Sequence, residues 1–288
     1  MPINELLPPR VAVNREVLEK LSDQELTQVA IQLYREASLT IQACAQNHAP
    51  AKLTDRSRAI CCGLLVRLGK YMLAVDTLVT HQDSCADVLM AINRCMFESA
   101  VNVTYLLHVD TPEVYEDFVK KGLGPEREYH DLVKQHIAER GGVMTPMEDR
   151  ILQSILRVIE RSGVQIEDVP VKHQEWGVNM RQKIKEIGWD GMYVPYRIGS
   201  HAVHGSWVDV LMRHLVYSDE GFSVEWSFGF TDSRLLNSSA RLNLEAAGYY
   251  AVRWFEAADR DAVLGRLEPV IDDLEAVSHA TELAVQRD

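Results

Sequence analysis

Apolar residues return at helical spacing along most of the chain. After Ser22-Asp-Gln-Glu25, a capping box, they recur every three or four positions to about Asn47. The segment "HAPAKLTD" then reads as a loop. Thr54 or Asp55 is placed to cap a second long helix through "AICCGLLVRLGKYMLAVDTLV", and Asp83 or Ser84 opens a third, "ADVLMAINRCMFESAVNVTYLLHV". Thr111-Pro112-Glu113 opens a fourth, with proline at the tolerated first position. "GLGP" at 122–125 interrupts it, and "GG" at 141–142 ends the next segment. Thr145-Pro-Met-Glu148 is a second capping box. A connector, "SGVQIEDVPVKHQEWG", leads to a helix around 176–187 that stops at Gly188. After the loop "WDGMYVP", the stretch "YRIGSHAVHGSW" at 196–207 predicts one helix from near Val194 to 216.

One segment breaks the period. "GFSVEWSFGFTDS", 221–233, alternates apolar and polar residues after an Asp-Glu-Gly turn signal and predicts a hairpin or extended flap. Helical spacing then resumes, most strongly in "LNLEAAGYYAVRWFEA". No repeat, low-complexity tract or heptad run is present. The expected fold is therefore all-α: a multi-helix bundle with one small β-hairpin or flap near 221–233. Residues 1–20 are expected as a loosely attached N-terminal arm and 21–288 as a single helical domain.

Composition narrows the function classes. The chain has 288 residues, 47% of them hydrophobic, ample for a large core. Its formal charge of -12 opposes a broad electrostatic hold on nucleic acid and a membrane surface, and leaves room only for a local basic site. The start "MPINELLPPR" has no signal-peptide pattern, and no apolar run approaches the roughly 18 residues of a spanning helix. Cys44, Cys61, Cys62, Cys85 and Cys95 lie in helical patterns without C-x-x-C spacing, as buried thiols of a cytoplasmic protein would.

Motifs of common enzyme classes are missing from the sequence. It has no G-x-x-x-x-G-K-[ST] loop and no G-x-G-x-x-G after a strand. It has no H-E-x-x-H, no Glu-x-x-His and no nucleophile elbow. The expectation is no metal and no cofactor. His130, His136, His173 and His279 sit among charges and read as solvated.

Two predicted helices carry polar groups on faces that read inward. On the 196 helix, Arg197, His201, His204 and Val208 follow at i, i+4, i+7 and i+11, and Tyr196, Ser200 and His204 form an overlapping row. Gly199 and Gly205 each disfavour a helix interior by about 1 kcal/mol against alanine, and such glycines admit a close neighbour. On the "NRCMFESAVNVTYLL" helix, Arg94 and Glu98 are i, i+4 partners, with Asn102 one step on. They interrupt an apolar face made by Leu89, Ile92, Met96, Val103 and Leu107. Buried polar groups require partners, so the two sets are expected to meet. A catalytic site should open to a cleft, whereas a structural network should be closed.

The order and spacing of "RCMFESAVNVTYLL" and, about a hundred residues later, Tyr196-x-x-x-Ser200-x-x-x-His204 resemble a bacterial family catalogued as domain of unknown function 5677, over residues 30–260. The name carries no activity. Arg197, six residues, then His204 also resembles the signature of the HEPN superfamily, helical domains that include metal-independent ribonucleases and toxins. That resemblance implies an endoribonuclease, a toxin or antiphage effector, acting on RNA at a local site. His204 would be the general base on a 2′-hydroxyl and Arg197 would stabilise the phosphate. Tyr196, Ser200, His201, Arg94 and Glu98 would be supporting residues, and a homodimer is implied. The alternative is a non-catalytic helical binding or regulatory module with a protein partner, in which the same cluster is a structural network.

Overall fold

A computed structural model of the chain describes residues 2–47, 55–81, 86–172, 174–225 and 231–286. The expected loop at 48–54, the alternative caps Thr54, Asp83 and Ser84, Cys85, His173 and positions 226–230 of the expected flap lie outside the described residues.

The elements run in chain order: α1 (Arg15–Leu18), α2 (Asp23–Gln46), α3 (Arg56–His81), α4 (Ala86–Val109), α5 (Pro112–Gly122), α6 (Gly124–Glu139) and α7 (Pro146–Arg161). They continue with α8 (Met180–Glu186), α9 (Tyr193–His204), α10 (Trp207–Arg213), β1 (Leu215–Ser218), β2 (Gly221–Val224), α11 (Ser233–Trp254) and α12 (Ala257–Val285). The fold is an all-α bundle with a small antiparallel hairpin.

Local chemistry sets the helix starts. The Ser22–Glu25 and Thr145–Glu148 capping boxes both close reciprocally. Asp55 accepts from the Arg58 amide, and Thr111 caps α5 with Pro112 in its first turn.

The chain divides into two compact units, Met1–His108 with Ile184–Asp288, and Val109–Lys183. In the larger, α2 packs on α3, α11 and α12, and α11 also packs on α12 and α3. Tyr34, Leu33, Leu65, Met72, Leu106 and Tyr250 are among its fully buried side chains. α4 is tied in by side chains: Met96 Sδ accepts from Tyr34 at 3.7 Å and from Asn243 at 3.8 Å, and Ser99 accepts from Arg67 at 3.1 Å. The smaller unit centres on Leu123, Ile155, Ile159, Val164 and Val169.

The N-terminal arm is held more firmly than a loose attachment. Ile3 is fully buried, and its amide donates to Asp259 at 3.1 Å. Arg10 donates to Glu36 at 2.7 Å, to the Pro269 carbonyl at 2.8 Å and to Asp273. Arg266 reaches both the Pro8 carbonyl and Glu36.

Two boundaries differ from the sequence expectation. The helix expected from Val194 to 216 is broken at Gly205, whose φ of 55° is left-handed, a conformation glycine adopts without a Cβ clash. Gly205 therefore ends α9 rather than weakening a helix interior, and Val208 belongs to α10, not to the face of Arg197, His201 and His204. The hairpin pairs Leu215 with Val224 and Tyr217 with Phe222, so its first strand precedes position 221 and the Asp-Glu-Gly signal lies at its turn.

Candidate functional site

Arg94, on α4, is the hub of the polar cluster. Its side chain is only 11% exposed. Nε donates to Ser200 Oγ at 3.1 Å, the guanidinium lies 3.6 Å from the centre of the Tyr196 ring, and Nη1 pairs with Glu98 at 2.6 Å. Phe97 packs on Tyr196 with centroids 5.4 Å apart, and Tyr193 stacks on it at 5.9 Å. Ser200 Oγ in turn donates to the Tyr196 carbonyl at 3.2 Å. Burial pushes the Tyr196 phenol above its usual pKa against the lowering pull of the Arg94 charge.

Gly199 lies against the Arg94 stem. A Cβ there would stand 3.4 Å from Arg94 Cδ, an ordinary contact that leaves room for alanine but not for a larger side chain. The two polar sets expected to meet thus meet through Arg94, Glu98, Tyr196 and Ser200.

The remaining site residues are elsewhere. Arg197 and His204 are exposed, and neither side chain has a hydrogen bond or ion pair among the described residues. His201 is also exposed, with Nδ1 2.8 Å from Ser206 Oγ. Asn102 lies in the wall of α4 with its amide oxygen buried and unpaired. His130 is buried rather than solvated and contacts Asp131 at 2.8 Å. Cys44 is buried, which raises its thiol pKa to about 12 and keeps it unreactive.

Large apolar side chains are exposed on α9, on α10 and on the hairpin. Trp207 is 60% exposed, Tyr217 68%, Phe222 56% and Val224 63%. Phe222 contacts both Trp207 and Tyr217, so these rings form one patch. Val194 and Ile198 are exposed on α9 itself.

The residues that the sequence did not single out are two asparagines. Between α4, α9 and α11 lies a small cleft lined by Asn93, Phe97, Met192, Tyr196, Leu242 and Asn243, among others. Beyond Met192, Ser238 and Leu242, which line both, a second cleft is lined by Trp189, Asn237, Arg241 and Leu274. Asn93 is 9% exposed and Asn237 1%, and both amide atoms of each are unpaired among the described residues. An amide in an otherwise apolar helix row was the available signal.

Among the described residues no group of three His, Cys, Asp or Glu side chains is gathered to hold a metal ion. No described helix is long and apolar enough to cross a membrane. No curated protein and no solved structure matches the chain. A family model described as a family of unknown function, DUF5677, matches residues 58–222, which covers α4, the Arg94–Tyr196–Ser200 cluster and the hairpin turn, and the chain belongs to that family.

Proposed function

We propose that the chain is a metal-independent endoribonuclease of the HEPN kind, an RNA-targeting toxin or antiphage effector that works as a homodimer in the cytoplasm. The observation that carries this reading is the division of labour on α9. Its inner face is clamped to Arg94, while Arg197 and His204 stand in solvent without a protein partner among the described residues. A free imidazole and a free guanidinium on a fixed helix are what general-base and electrostatic catalysis require.

In the reaction, an imidazole nitrogen of His204 takes the proton of an RNA 2′-hydroxyl. The 2′-oxygen forms a bond to phosphorus as the bond to the 5′-oxygen breaks. A 2′,3′-cyclic phosphate remains, and water protonates the departing 5′-oxygen. Arg197 offsets the charge that builds on the non-bridging oxygens. Arg94, Glu98, Tyr196 and Ser200 do not touch substrate and hold the helix in place.

The seven-residue spacing separates Arg197 and His204 by roughly 10 Å of helix rise. A site shared between two copies closes that gap, and the patch at Trp207, Tyr217 and Phe222 suits a second copy. Its three rings, each more than half exposed, touch one another in one apolar patch and supply the kind of aromatic surface that interfaces use. A two-stranded hairpin is marginal alone, and a two-fold partner would cover the same patch on both copies.

A second reading has its own support. The ion pair, ring and hydroxyl contacts of Arg94, Glu98, Tyr196 and Ser200 tie these side chains to one another, as a structural network in a non-catalytic binding or regulatory protein would. RNA cleavage by the wild type and by His204→Ala separates the two. The enzyme reading expects cleavage that is lost in the variant with little change in melting temperature. A wild type that leaves structured and single-stranded RNA intact rejects it.

A further inference from the structure

The outer surface of the α11–α12 pair carries an inference that does not depend on the ribonuclease reading. A trough runs between these two helices, with Tyr249 and Val252 on α11 and Leu264, Leu267 and Ile271 on α12 as its apolar lining. None of these residues lies on α9, and the family match ends at residue 222.

Helical spacing builds the trough. Tyr249 and Val252 continue a stripe that starts at Glu245 on α11, and Leu264, Leu267 and Ile271 follow at i, i+3 and i+7 on α12. Each stripe runs roughly 10 Å, about two helical turns. Gly248 and Leu267 are buried and form the floor, where a Cβ added to Gly248 would stand only 3.2 Å from Leu267 Cδ1. Leu264 and Ile271 are half-buried, and Tyr249 and Val252 are exposed.

The charges along the trough are one-sided. Glu245, Glu268 and Asp272 line it, and no lysine or arginine does among the described residues. Glu245 is paired with Arg241 at 2.9 Å, but Asp272 comes no closer than 3.8 Å to Arg15, with both side chains about half exposed. Glu268 is exposed and has no ion pair among the described residues. Glu268 and Asp272 are i, i+4 neighbours, a spacing at which like charges repel. A cation set between them would relieve that repulsion. An apolar strip in water and uncompensated carboxylates are both unfavourable on a lone protomer. Both become favourable once a surface of the opposite pattern covers them.

Two helices side by side leave a groove that a third helix fills with its own ridge of side chains. A small molecule would meet walls on two sides only, whereas small-ligand sites enclose most of their guest. We propose that the trough between α11 and α12 is a docking site for a cationic amphipathic helix of a partner protein. Its apolar side chains at i, i+3 and i+7 lie over Leu264, Leu267 and Ile271. Its lysines or arginines face Glu268 and Asp272.

The test uses the full chain and a labelled synthetic helix of about 18 alanine-rich residues, long enough to hold its shape in water. The peptide carries leucines at i, i+3 and i+7 with lysines beside them, and its control has glutamates in place of the lysines. Fluorescence anisotropy is expected to give a dissociation constant of about 100 μM or tighter for the lysine peptide. The glutamate peptide should bind at least about tenfold more weakly. Glu268→Lys should weaken the lysine peptide by about tenfold, and Val252→Ser by about fivefold through lost apolar contact. Val252 is 59% exposed and Glu268 is exposed, so both variants should keep the wild-type melting temperature within a few degrees. Glu160→Lys, which reverses an exposed charge on α7, should bind as the wild type does. The proposal is overturned if the lysine peptide does not bind, if the glutamate peptide binds as tightly, or if Glu268→Lys and Val252→Ser bind unchanged. An equal loss in Glu160→Lys also overturns it, because the attraction would then be to net charge alone. Light scattering of the peptide-free protein supplies the last check: a mass that Val252→Ser or Glu268→Lys lowers assigns the trough to a second copy of the chain and overturns the partner helix.

Discussion

Arg94 on α4 and Tyr196 on α9 are joined face to face, with the guanidinium carbon 3.6 Å from the ring centre and a hydrogen bond from the same arginine to Ser200 one turn further along α9. This contact fastens the helix that carries Arg197 and His204. A planar guanidinium can stack on a ring and donate sideways at once, and a lysine ammonium cannot. Arg94→Ala is expected to destabilise the fold by about 2–4 kcal/mol, since it also leaves the Ser200 and Glu98 contacts unmade. Arg94→Lys is expected to recover less than half of that. Denaturant titration of Arg94→Ala, Tyr196→Leu and the double variant should return a coupling of about 1 kcal/mol. Additive single effects would remove the pair from the account.

Gly199 offers a sharper geometric check. Its added Cβ would sit 3.4 Å from Arg94 Cδ, which is ordinary contact, and alanine favours a helix by about 1 kcal/mol over glycine. Gly199→Ala should therefore be neutral or stabilising by up to about 1 kcal/mol. Gly199→Leu would wedge α9 from α4 and is expected to lose about 2 kcal/mol or more. At Gly205 the order reverses: its φ of 55° strains any side chain, so Gly205→Ala is expected to destabilise by about 1 kcal/mol. Thermal melts of the three variants check the ranking.

Helix existence was legible because capping is local. Ser22 with Glu25, and Thr145 with Glu148, carry their partners within four residues. The meeting of Arg94 with Tyr196 and Ser200 followed from the demand of buried polar groups for partners. The break at Gly205 was not foreseen, because a glycine inside a helix and one just past its end look alike in sequence. Ser206, which caps α10 by accepting from the Asp209 amide, was the missed clue. The β1 segment "LVYS" follows α10 so closely that its apolar pair passed for further helix. Asn93 and Asn237 are not legible as unpaired amides in the sequence, because whether an amide is paired depends on neighbours distant along the chain.

The arm at the N-terminus should matter for stability. Glu36 has a side chain only 1% exposed and is held by Arg10 and Arg266, while Asp273, 8% exposed, is held by Arg10 and Arg15. Arg10→Ala removes one cation from both carboxylates, and breaking a buried pair typically costs about 3–5 kcal/mol. A loss near the lower end is expected, since Arg266 and Arg15 remain. Urea unfolding that shifts by less than about 1 kcal/mol would mean the arm is dispensable.

Acid stability has a specific contributor in the smaller unit. Hydrogen bonds from Arg140 and from the Thr145 amide hold Glu148 at a pKa of about 2, below its usual 4.5. A depressed folded-state value means that the carboxylate stabilises the fold fully above the ordinary range. That contribution is lost as pH falls from about 4.5 through about 2. The melting-temperature gap between wild type and Glu148→Gln should therefore be constant above pH 5, narrow below 4.5 and vanish near 2. A gap that persists unchanged at the lowest pH would show that the charge is not its origin.

The proposed homodimer can be tested without disturbing the protomer. Trp207 and Phe222 are 60% and 56% exposed, so each already lies mostly in water on a single chain. Phe222→Glu should leave the melting temperature of a separated protomer within a few degrees, because surface substitutions usually change stability by no more than about 0.5 kcal/mol. In a dimer closed over this patch, the same change buries a carboxylate opposite its symmetry mate, where two like charges and their lost hydration oppose association. Light scattering should then read a dimer mass for the wild type and a monomer mass for Phe222→Glu at the same micromolar concentration. RNA cleavage should fall with the dimer, since Arg197 of one copy and His204 of the other would no longer share a phosphate. A wild type that is monomeric and still cleaves RNA would remove the shared site, and Arg197 would then have to reach the phosphate held by His204 on its own helix.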